Sequence, residues 1–82
     1  MTKPEIIALL REQNPTRHDV DLVVYAEAYI EHEAAQGKVE KLGSIVINEK
    51  TKMPVDNPYI AVRDRTARTM MDLKLRTGNL WR

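Results

Sequence analysis

The 82-residue chain has no cysteine, which excludes disulfides and thiolate metal sites. Phenylalanine is also absent, and the aromatic side chains are Tyr25, Tyr29, Tyr59 and Trp81 alone. The core must therefore rest on aliphatic residues and methionine rather than on large rings. No apolar run reaches the roughly 18 residues that a membrane span needs, and the N-terminus lacks a secretory leader pattern. A cytoplasmic location with no membrane partner is expected. Serine occurs once, at Ser44, and no phosphate-cradling glycine loop or paired-histidine zinc motif is present. No catalytic residue, metal site or cofactor is expected. His18 and His32 read as surface residues. Asp19 and Asp21 lie two apart, on different helix faces, and suit a helix start better than paired-carboxylate catalysis.

The length allows one domain, residues 1–82. A chain this short buries only about 60–65 % of its unfolded surface and usually needs a staple. With disulfides and thiolate metals excluded, the expected staple is another copy of the chain. The net charge of +1 hides an asymmetry: residues 1–50 net −3 and residues 51–82 net +4. A basic C-terminal part permits an anionic partner or head-to-tail contact between copies.

Apolar spacing predicts a mainly α protein: a short helix, a long helix, a small β-hairpin and a third helix. Thr2 and Glu5 have capping-box spacing, Pro4 suits the first turn, and Ile6, Ile7, Leu9 and Leu10 form a helical stripe over residues 3–13. Asn14-Pro15 stops that helix. Thr16 is expected to cap the second, with Asp19 at the capping-box position. That helix runs from 17 to 42 with Gly43 as its stop, unless Gly37 ends or kinks it. Ser44 to Asn48 and Met53 to Val55 flank a polar turn and predict a hairpin with Pro54 marking an edge. Asn57-Pro58 caps a third helix from Tyr59 to Thr77, closed by Gly78.

On that third helix Arg65, Arg68, Asp72 and Arg76 fall on the face opposite Tyr59, Val62, Thr66, Met70 and Leu73. Arg63 and Lys74 fall near the apolar edge, where their stems can lie along apolar surface. Arginines spaced three and eight apart can follow a phosphate backbone. Arg65, Arg68 and Arg76, with Lys74 and Arg63 second, are the candidate DNA contacts. The plain alternative is a solvated face with Asp72 pairing Arg68 or Arg76. Val23, Tyr25, Tyr29, Ile30 and the Leu80-Trp81 tail are the candidate subunit contacts. The tail is expected to dock on this domain or on a neighbour, because an unpacked terminal tryptophan is uncommon.

Asp19 followed by Tyr25-Ala26, a long Ala- and Glu-rich helix, Leu42-Gly43-Ser44-Ile45-Val46, the Asn57-Pro58-Tyr59-Ile60-Ala61 restart and the closing Leu75-to-Trp81 string occur in that order. Together they span about three quarters of the chain, and their order and spacing resemble the small subunit of phage terminases. The resemblance implies a non-catalytic packaging factor in the host cytoplasm. Such a factor recognises double-stranded viral DNA and assembles into a ring. It presents DNA to the large subunit, which holds the ATPase and nuclease, and modulates those activities. Many relatives carry longer extensions than this chain. Two other classes fit the residues: a virion connector that binds protein and not DNA, and a small dimeric regulator that uses Arg17 of the second helix on DNA.

Overall fold

A computed structural model describes residues 1–78 and Leu80. The elements are α1 (Lys3–Gln13), α2 (Asp19–Leu42), β1 (Ile45–Ile47), β2 (Pro54–Asp56) and α3 (Pro58–Leu73). The helical chain with one small antiparallel hairpin is the architecture expected from the spacing. The molecule measures 51 × 20 × 17 Å, with a radius of gyration of 15.3 Å. A compact chain of this length has a radius nearer ~12 Å. The elongation comes from α2, which spans about 36 Å at ~1.5 Å per residue, with α3 packed back along it.

α1 begins as its sequence dictates. Thr2 accepts from the Glu5 amide, and Glu5 reaches back to Thr2, completing the capping box. That hydrogen bonding holds the Glu5 carboxyl below its ordinary value. Ile6 and Leu10, one turn apart, are fully buried.

The start of α2 differs from expectation. The cap is His18, with no side-chain capping bond, and the helix opens at Asp19. Arg11 is the physical reason. Its guanidinium donates to the carbonyl oxygens of Asn14, Pro15 and Arg17 and pairs with the Asp19 carboxylate. Residues 14–17 are thus consumed in a turn closed by Arg17 N–H to Asn14 C=O, and Asp19 is engaged by Arg11 rather than by a helix amide. Gly37 leaves α2 unbroken. Gly43 stops it with φ +82°, a conformation that costs glycine little.

The hairpin pairs Ile45 with Asp56, Val46 with Val55 and Ile47 with Pro54. Asn48 builds its turn: the side-chain Oδ1 accepts from the Lys50 and Thr51 amides. Asn57 closes its base. It is 1 % exposed, donates Nδ2 to Gly43 C=O at 2.8 Å, accepts from the Tyr59 amide at 3.0 Å and gives its own N–H to Ser44 C=O. One residue therefore links the end of α2, the hairpin and the start of α3.

α3 ends four residues before Thr77, the expected end. Lys74 turns the chain with φ 53°, and residues 75–77 leave the helix. The core sits at the α1 end of the molecule. There Ile6 and Leu10 meet Leu22, Tyr25, Ala26 and Ala28 of α2, Met70 of α3 and Leu80. Among the described residues, no helix is long and apolar enough to cross a membrane.

Candidate nucleic-acid interface

The early end of α3 dismantles the expected arginine face. Arg65 and Arg68 remain on the helix, while Arg76 lies three residues past it. The exposed Arg65 is held by Glu31 across the helix pair, Nη2 to Oε1 at 2.5 Å. Arg63 is half-buried, with Nε 3.3 Å from Asp64 Oδ1 and Nη1 3.5 Å from Gln36 Oε1, its stem along the α2–α3 seam. Arg68 is exposed and has no ion-pair partner among the described residues. Asp64 and Asp72 lie one turn to either side of it and line the same shallow surface hollow. The expected pairing of Asp72 with Arg68 or Arg76 is not among the ion pairs of the described residues.

Lys74 and Arg76 are the other exposed cations of this group, and neither is salt-bridged among the described residues. They sit on the segment that follows α3. Asn14, buried at 8 % exposure, grips the backbone of that segment: the Arg76 N–H donates to Asn14 Oδ1 at 2.9 Å, and Asn14 Nδ2 donates to Arg76 C=O at 2.8 Å. The same Nδ2 reaches Leu10 C=O at 2.9 Å. Arg17 donates to Leu73 C=O at 2.9 Å and pairs with Asp21 at 3.1 Å. In a continued helix the Arg76 amide would point at the carbonyl of Asp72. The α1–α2 turn takes it instead, so Arg76 belongs to a pinned strap and not to the α3 face. In the sequence, Asn14 reads only as the stop of α1. Its one available signal is a polar side chain between two apolar helices, too common to single it out.

The expected subunit contacts divide. Tyr25 is 4 % exposed and Leu80 4 %, both inside the chain's own core. Tyr25 is thus packed within its own chain rather than presented to a neighbour, and Leu80 docks on this domain, one of the two places expected for the tail. Val23 is half-buried. Tyr29 is half-buried and packs against that core. Burial, with Glu33 and Tyr25 as lesser causes, raises its phenol above the ordinary value. Ile30 is exposed. Trp81 lies outside the described residues. Apolar exposure that the spacing does not reveal occurs at Val20 (70 %) and Met71 (74 %), and on the hairpin at Ile45, Ile47, Met53 and Val55.

His32 is also placed differently from its solvated reading. It faces α3 and, with Tyr25, Met70 and Lys74, lines an open cavity of about 390 Å³. Among the described residues, no group of three or more His, Cys, Asp or Glu side chains is arranged to hold a metal ion.

No family model, curated protein or solved structure matches this chain.

Proposed function

We propose that this chain is a non-catalytic, self-assembling DNA-recognition subunit of the phage terminase small-subunit type, which delivers double-stranded DNA to an ATPase–nuclease partner subunit. The observation that carries the proposal is the ordered string from Asp19 to Trp81. The packing of its pieces supports it. Asn57, which opens the Asn-Pro-Tyr-Ile-Ala restart, donates to the Gly43 and Ser44 carbonyls of the Leu-Gly-Ser-Ile-Val turn. From Asp19 to Leu73 the string folds as a helix–hairpin–helix arm with a base of its own.

Two physical features favour the same reading. The chain exposes Val20, Ile30, Met71 and the hairpin isoleucines, apolar surface that a second copy could cover. It also carries cations at Arg68, Lys74 and Arg76 without ion-pair partners among the described residues. A nearly neutral subunit gains DNA affinity by avidity when several copies present such cations together.

Light scattering on the purified chain, followed by titration with duplex DNA at several salt concentrations, tests the proposal. The expected result is a discrete assembly of many chains whose affinity falls steeply with salt. Arg68→Ala with Lys74→Ala should weaken binding and flatten that dependence, by about one unit of slope for each phosphate that is no longer neutralised. Unchanged affinity and slope would remove the site assignment. A fixed assembly with no salt-sensitive DNA affinity would select the connector reading, which the carboxylates flanking Arg68 favour.

A further inference from the structure

The geometry points to Asn14 and Arg17 as positioning residues for polyanion binding: the α1–α2 turn pins the strap that follows α3 and so fixes where Lys74 and Arg76 are presented. This inference rests on the proposed DNA-binding function and names the part of the protein that organises it.

The strap is held at three points. Arg17 takes the carbonyl of Leu73 at its root. Asn14 pairs with both backbone groups of Arg76. Leu80 is anchored in the core beyond it. Between the first two pins, Lys74 adopts φ 53°, a conformation uncommon for a residue with a Cβ. The grip on Arg76 is entirely to main-chain atoms, so it does not depend on the guanidinium, which has no ion-pair partner among the described residues. The turn is itself braced by Arg11, whose Nη1 reaches three of its carbonyl oxygens. Two cations on a pinned backbone lose less conformational freedom on meeting a phosphate chain than the same cations on a frayed helix end.

The test is a double-mutant cycle on the full chain, read as affinity for a duplex DNA of fixed length across a salt series. Asn14→Asp replaces the Nδ2 donor with an oxygen that faces the carbonyls of Leu10 and Arg76. Arg17→Gln removes the reach to Leu73 and is less exposed to folding failure, because Arg17 is only half-buried. Each is combined with Lys74→Ala/Arg76→Ala, and circular dichroism confirms the helical fold of each variant. In the wild-type background Asn14→Asp should weaken binding about threefold to tenfold, in the range of couplings within one hydrogen-bonded network. That loss should vanish when Lys74 and Arg76 are already alanine, and the coupled part of the Arg17→Gln loss should vanish with it. Equal losses in both backgrounds would show a merely structural role and overturn the inference while leaving the DNA reading intact. Full affinity in Lys74→Ala/Arg76→Ala would overturn the inference by removing the strap from the interface. No affinity of the wild-type chain for DNA would overturn the functional proposal itself.

Discussion

The two ends of this elongated molecule are held together differently. At the α1 end, three helices and Leu80 bury Ile6, Leu10, Leu22, Tyr25 and Met70 together. At the hairpin end, the buried residues among those described are Ala35 and Val39 of α2, the cap Asn57 and Thr66 of α3, and Ile45, Ile47 and Met53 stand in solvent. One end is closed by a shared apolar core, the other by a thin apolar seam at Ala35 and Val39 and by the hydrogen bonds of one asparagine. An isolated two-stranded hairpin is at best marginal in water. The hairpin end therefore borrows its order from Asn57 and leaves Ile45, Ile47 and Met53 exposed, whereas the α1 end builds a shared core and still leaves Val20 and Met71 exposed on its outside.

That contrast can be broken most severely at the packed end. Leu22→Ala should cost about 3 kcal/mol, the usual loss for a fully buried leucine, and should lower the midpoint of chemical denaturation accordingly. A loss under about 1 kcal/mol would mean that the α1 end is not the main source of stability. At the other end Asn57→Ala removes a helix cap and a buried bond to Gly43, and should cost about 2 kcal/mol. Amide exchange should then speed up in residues 44–56 while residues 6–10 stay protected; uniform acceleration would show that the two ends unfold as one.

The smaller effects sharpen the contrast. The Tyr29 phenol lies above its ordinary 10.0 in the fold because of burial, then Glu33 and Tyr25. Folded protein therefore holds this proton more tightly than unfolded protein does. Its contribution is fully present below about pH 10 and is lost as the pH rises through the folded value. Thermal melts from about pH 9 to 11 should show a steeper alkaline loss for wild type than for Tyr29→Phe, and equal slopes would remove Tyr29 as the cause. Ile47→Thr, at a residue 60 % exposed, should change monomer stability by less than about 0.5 kcal/mol. In light scattering it should weaken any assembly that the hairpin face supports; an unaltered mass would place the subunit contacts on the helices, at Val20 and Ile30 of α2 or Met71 of α3, instead.

Much of the fold was legible because it is local. The Thr2–Glu5 capping box, the Gly43 stop, the hairpin span and the Asn57-Pro58 restart depend on a residue and its near neighbours, where spacing alone sets the hydrogen bonds. The candidate interface was less legible. Counting arginines at helical spacing found Arg65 and Arg68 on α3, but could not show that Glu31, 34 residues earlier, holds Arg65. A stripe of apolar residues on α2 likewise could not tell which of them, such as Tyr25, the chain would cover by itself.

By itself the sequence determined the order of elements, the start of α1, the ends of α1 and α2, and the aliphatic character of the core. The tertiary structure alone decided where α2 begins, where α3 ends and which cations lack ion-pair partners among the described residues. In each case the reason is a side chain distant from the site it controls or freed by folding to act there. Arg11 takes the carbonyls that precede α2, and Asn14 and Arg17 take backbone groups far along the chain, at Arg76 and Leu73. A helix boundary is set by whichever partner satisfies its last amides and carbonyls. Where that partner comes from another part of the chain, only the fold can supply it.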